Sequence, residues 1–154
     1  MMRLLSAGIV GLAFMNGFPA FAQKNNGLVD TMVFLNGQCD FRVNGQKLDC
    51  DEKMVYAKTP TQRIQISAFP TLLVVAAFSG GKDINDDPEH YFLTVDRLIL
   101  SGGTSVPADG VCSMDLRKDG RRVYMVKCTA LAHDGRKFEF NFKPQPKPPT
   151  IKHF

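Results

Sequence analysis

Four cysteines and three histidines carry most of the side-chain chemistry open to this chain. Cys39 and Cys50 bracket "CDFRVNGQKLDC", and Cys112 and Cys128 bracket "CSMDLRKDGRRVYMVKC". A zinc site asks for repeated close cysteine pairs or for histidines at ligand spacing, and a thioredoxin-type site asks for two residues between its cysteines. Neither spacing is present, so the pattern predicts two intrachain disulfides. Folding the first stretch at Asn44-Gly45, the dipeptide that best tolerates the two positive φ values of a type I′ turn, sets Cys39 directly opposite Cys50. Opposed α-carbons in an antiparallel pair lie about 4.5–5.5 Å apart, inside the roughly 4.4–6.8 Å that a disulfide accepts. The same register puts Cys39, Phe41, Val43, Leu48 and Cys50 on one face and Asp40, Arg42, Lys47 and Asp49 on the other.

The second pair is less regular. A three-residue loop at Lys118-Asp119-Gly120 places Cys112, Met114 and Leu116 on one face with Tyr124, Val126 and Cys128. Cys112 then opposes Val126, so its bond to Cys128 requires a bulge or a shift of register.

Catalytic apparatus is thin. His133 is taken up by a turn and His153 sits near the chain end, which leaves His90 beside the acids of "GGKDINDDPEHY". Asp83, Asn85 and Asp87 have the spacing of the first three ligands of a calcium loop, but Pro88 stands at the glycine position and Thr94 where a bidentate Glu is wanted. They form a weak metal candidate, and an acidic solvated turn is the expected reading. The chain has no Gly-x-Ser-x-Gly elbow, and Ser101-Gly102-Gly103-Thr104 is not followed by a helix whose dipole would hold a phosphate. The residues predict no catalytic constellation and no cofactor.

The elements that would position these residues read as strands. "LAHDGRKFEFNF" repeats the loop pattern of the preceding hairpin and lines Phe138, Phe140 and Phe142 up with Val126, Cys128 and Ala130, a three-stranded meander at the C-terminal end. "TMVFLNG", "RIQIS", "TLLVVAAF" and "YFLTVDRLIL" are rich in β-branched and aromatic residues, separated by Pro60, Pro70, Gly80-Gly81, Gly102-Gly103 and Pro107. Thr71 to Phe78 also suits a buried helix, but its length and its Thr and Val content favour strand. The expected fold is all-β, a small antiparallel β-sandwich or barrel of about eight or nine strands.

Residues 1–22 read as a cleavable signal peptide: Arg3, an uncharged apolar stretch from Leu4 to Met15, then Ala20-Phe21-Ala22 at the cleavage point. That apolar run is about 12 residues, short of the ~20 a membrane-spanning helix needs. The expected organisation continues with a single all-β domain over 23–142 and a Pro/Lys-rich extended tail over 143–154. Export, with all four cysteines in the mature part, places the protein in a bacterial periplasm or outside the cell.

Charge is uneven. Residues 23–116 hold 8 basic and 12 acidic side chains, a net −4, whereas 117–154 hold 10 and 3, a net +7. The basic set Arg117, Arg121, Arg122, Lys127, Arg136, Lys137, Lys143 and Lys147 is the candidate partner-binding surface, steered to a protein or an anionic envelope component. No nucleic-acid-binding motif accompanies it. Three functions fit: a non-enzymatic binding module acting through this meander and tail; a hydrolase inhibitor presenting Gly80 to His90 or Gly102 to Gly110; and a barrel carrying a small apolar ligand, lined by Phe138, Phe140, Phe142 and the apolar middle strands.

Overall fold

Asn44 and Gly45 take φ values of 52° and 79°, the paired left-handed conformations of a type I′ turn. β1 (Thr31–Val43) and β2 (Gln46–Leu48) flank the turn and pair as Val43 with Gln46, Arg42 with Lys47 and Phe41 with Leu48, the expected register. β3 (Cys50–Lys58) extends β2 in that same register, so that Leu35 faces Met54 and Thr31 faces Lys58. Cys39 and Cys50 are disulfide-bonded across this hairpin with α-carbons 6.0 Å apart.

The computed structural model describes residues 29–71, 73, 76–81, 87, 89–117 and 122–154. The signal peptide expected over 1–22 lies outside them, as do Asp83, Asn85 and Arg121. Among the described residues the chain continues as β4 (Ile64–Pro70), β5 (Ala76–Gly80), β6 (His90–Leu100), β7 (Ser105–Leu116), β8 (Val123–Ala132), β9 (Lys137–Pro144) and β10 (Thr150–His153). Each strand from β3 to β9 pairs antiparallel with the next, and β9 returns to β1 from Gly37 opposite Pro144 to Val43 opposite Phe138. Eight strands therefore close a barrel, which removes the exposed edges that an open sheet would carry. β2 and β10 are additions to that ring. Gly37 sits where β1 meets the end of β9. A Cβ there would collide with the Lys143 carbonyl, so closure at this point requires glycine.

Side chains alternate between an apolar inside and a mostly polar outside. Phe41, Phe78, Phe138, Phe140 and Phe142 are fully buried, their rings packed at centroid distances of 6.0–6.5 Å. They pack together with the disulfide Cys112–Cys128, whose cysteines are also buried. Outward positions carry Arg42, Lys53, Lys127, Thr129 and Asn141, all exposed. This is the reverse of a lipid-facing barrel, whose outer band is apolar. Among the described residues no helix is long and apolar enough to cross a membrane.

Register shifts in β8 and β6 correct the simple alternation, and the β3–β4 ladder shifts as well between Cys50 and Met54. Cys112 faces Cys128 directly, two residues away from the register of a three-residue loop. One step comes at the hairpin base, where Arg117 N donates to Arg122 O, and the other from a bulge beyond Asp115. The bulge flips the parity of β8: Val123 turns to the inside and Tyr124, expected there, is 51% exposed. In β6 the ladder shifts between Val95 and Arg97, leaving Asp96 and Arg97 both exposed while Val95 and Leu98 are buried. The loop between β8 and β9 needs no such repair; Ala130, Cys128 and Val126 oppose Phe138, Phe140 and Phe142 as anticipated.

Pro107, expected to punctuate the chain, lies within β7 opposite Arg97 at the β6 bulge, where a missing N–H costs nothing to the ladder. The C-terminal residues also depart from expectation. The boundary placed after Phe142 falls inside β9, and Thr150–His153 joins the sheet as β10 on the edge of β1, Thr31 facing His153 and Phe34 facing Thr150. An edge strand tolerates its proline-rich approach because Pro146, Pro148 and Pro149 fall between β9 and β10, and Pro144 ends β9.

Candidate functional site: the barrel mouth

Five phenylalanines fill the barrel toward the end that bears the Asn44-Gly45 turn. The opposite end is not filled. A cavity of about 560 Å³ opens there, walled by Val33 and Leu35 of β1, Met54 and Tyr56 of β3, Tyr91 of β6, Met114 and Leu116 of β7, and Val123 of β8. Its size falls within the ~300–1,000 Å³ of small-molecule sites. Each wall residue is an inward position of its strand: Val33 opposes Tyr56, Leu35 opposes Met54 and Tyr91 opposes Met114. Val123 reaches the wall only through the β8 bulge. Burial pushes the Tyr56 phenol above its ordinary value, so it stays protonated and available as a neutral hydrogen-bonding group. Met54 and Met114 give the wall unbranched, adaptable surfaces.

The last wall is the C-terminal segment. Between the Gly37–Pro144 and Phe34–Thr150 pairs, three steps along β1 are matched by six along the tail, so three extra residues arch away from the ladder. Pro148, Pro149 and Ile151 complete the cavity. The arch is tied down by Gln145 N donating to Asn36 O at 2.8 Å, Phe154 N to Asp30 O at 3.0 Å and the Arg122 guanidinium to Pro146 O at 3.4 Å. Lys152 Nζ lies 5.5 Å from the centre of the Phe34 ring. The segment read from composition as an extended arm is thus a strap across the barrel mouth.

The basic residues divide among several places. Arg117, Arg122 and Lys147 line one cleft of about 250 Å³ beside the cavity, with which it shares Leu35, Val123, Pro148 and Pro149. Arg136 is held by Asp134 at 3.0 Å and stands 5.4 Å from the centre of the Phe138 ring. Lys137 pairs with Glu139 at 3.0 Å. Lys127 projects from the outer face of β8, and Lys143 lines a separate shallow groove with Gln38 and Glu52.

His90 meets Asp115 at 3.2 Å and His133 meets Asp109 at 3.1 Å, both as exposed pairs on the outer surface. Asp87 accepts a hydrogen bond from the Glu89 N–H at 2.8 Å, the local closure of an acidic turn. All four cysteines are in disulfides, and among the described residues no group of three His, Cys, Asp or Glu side chains is arranged to hold a metal. Of the two loops proposed for presentation to a hydrolase, Gly102 to Gly110 is strand from Ser105 onward.

Phe138, Phe140 and Phe142, expected as a ligand lining, are instead closed core, because at those positions β1, β5 and β9 bring their rings into mutual contact. The mouth has its signals in the sequence, the inward half of "TMVFLNG" and the prolines of the tail, but nothing local says that these two segments meet. What the arrangement offers chemically is an open, apolar cavity with Tyr56 and Tyr91 in its wall and basic residues in the cleft beside it. No family model, curated protein or solved structure matches this chain.

Proposed function

We propose that this protein is an exported, non-enzymatic binding module whose barrel mouth takes a small, largely apolar ligand. The observation that carries the reading is the 560 Å³ apolar cavity at one end of a barrel whose remainder is packed with aromatic rings. A closed barrel is a firm frame for such a cavity, because its eight strands are hydrogen-bonded to one another in a ring. The two disulfides support residence in an oxidising compartment outside the cytoplasm, in keeping with a leader over residues 1–22.

The test is titration of the oxidised protein with a neutral naphthylamine fluorophore that brightens in apolar surroundings. The expected result is saturable binding to one site, lost on Val33→Trp, a substitution that fills the chamber, with far-UV circular dichroism unchanged. A folded protein that gives no saturable signal overturns the proposal.

A further inference from the structure

Tyr56 stands at an inward position of β3 where a plain apolar side chain would pack as well. At its level of the barrel it faces Val33 on β1 and Ile66 on β4, and Ile151 of the strap continues the row beyond Val33. One pleat repeat deeper, about 7 Å along the strand, Leu35 faces Met54; one repeat outward, Thr31 faces Lys58 at the rim. Tyr56 therefore lines the cavity part-way down its wall. Its neighbours in the row are aliphatic, and the upward shift of its phenol comes from burial alone, with no hydrogen bond and no nearby charge contributing. The hydroxyl is thus a neutral donor drawn out of solvent and met by no polar partner among the described residues. Such a group costs stability that phenylalanine would not, unless a ligand supplies the acceptor.

We propose that the ligand is an apolar molecule with an uncharged oxygen acceptor (a ketone, ester or ether) within its apolar body, and that the Tyr56 hydroxyl donates a hydrogen bond to that oxygen. This rests on the reading of the cavity as a ligand site and adds a polar contact and its place along the ligand. A pure hydrocarbon would leave the phenol donor unmet. An ionised oxygen at that depth would be desolvated without a counter-ion, because no charged side chain is among the described residues that line the cavity.

The experiment crosses two proteins with two ligands. The neutral naphthylamine probe is displaced from the oxidised mature chain, and from its Tyr56→Phe variant, by a medium-chain ketone and by the terminal alkene of equal chain length, each result corrected for that protein's own probe affinity. The variant keeps the ring, so far-UV circular dichroism and probe binding are expected to be retained. Loss of the hydroxyl should weaken the ketone about threefold to tenfold, the scale of one neutral hydrogen bond, and leave the alkene unchanged, which assigns the coupling to the hydroxyl and the ketone oxygen. Infrared difference spectra of the ketone with an isotope-labelled carbonyl should place its stretch, when bound to the wild-type protein, below its position in hexane, and Tyr56→Phe should return it. A ketone that loses no more than the alkene in the variant, or a bound carbonyl that absorbs in the wild-type protein where it does in hexane, overturns the proposal while leaving the cavity reading intact. A probe that never binds the folded wild-type protein overturns the cavity reading itself.

Discussion

Asp96 shows how a single residue owes its state to a bulge. Because β6 shifts register there, its side chain lies on the outer surface beside Arg97 and meets the Arg63 guanidinium at 3.1 Å. The Arg63 hydrogen bond, helped by Arg97, holds the carboxyl below its ordinary value. A folded-state value lower than the unfolded one means that the ion pair stabilises above the usual aspartate range, ~3.9, and that this contribution is lost as pH falls through the depressed folded value. Asp96→Asn is therefore expected to lower the urea midpoint at neutral pH, with the difference from wild type closing at the acid end. A difference that stays constant to the lowest pH at which the fold survives would contradict this. The residue pattern "VDRL" contains the signal, two adjacent polar residues between Val95 and Leu98, each of which is buried. Its partner Arg63 lies 33 residues upstream and could not be named from the pattern.

Among the elements, the strap is where composition and structure differ most. Four prolines and three lysines describe a chain that avoids sheet interiors, and they are right about 145–149, which arches off the ladder. They are silent about Thr150–His153, whose alternation is too brief to mark a strand and which pairs only because β1 extends past the end of β9. The barrel closes through β1 and β9 without β10, so a chain ending at Pro144 is expected to keep its far-UV circular dichroism. It loses Pro148, Pro149 and Ile151 from the cavity wall. Probe affinity should fall roughly tenfold, the effect of removing about 1.5 kcal/mol of apolar contact. Unchanged affinity in that chain would show that the strap does not contact the ligand. The β8 hairpin teaches the same lesson from the other side. Its turn residues and cysteines were legible, yet the bulge that swaps Val123 for Tyr124 in the wall was visible only as a register that did not close.

At the scale of the whole molecule the two disulfides differ in access. Cys112 and Cys128 are 0% and 1% exposed inside the barrel, whereas Cys39 and Cys50 are only partly buried. A buried bridge is reduced only when strands open around it, a fluctuation whose free energy approaches that of global unfolding. Under a mild thiol reductant in native buffer, alkylation and mass spectrometry should find Cys39 and Cys50 modified first, with Cys112 and Cys128 following on the timescale of unfolding. Simultaneous modification of all four would contradict the closed barrel. Once lost, the second bridge, spanning 16 residues, is expected to cost about 3 kcal/mol in the denaturant midpoint.

What depends on neighbours along the chain was largely legible. Asn-Gly and His-Asp-Gly turns dictate hairpin register through the φ values that they permit, period-two alternation dictates which face is apolar, and the direct opposition of Cys39 and Cys50 follows from both, whereas that of Cys112 and Cys128 needed the β8 bulge. Whether those strands would form a sandwich or a barrel was decided elsewhere, by the pairing of β1 with β9, segments about a hundred residues apart whose meeting has no local signature. The site belongs to the same class of fact. Arg117, Arg122 and Lys147 were singled out from charge alone within a set of eight. Their gathering in one cleft, and the cavity beside them, exist only because closure carries the strap across the mouth that the phenylalanines leave empty.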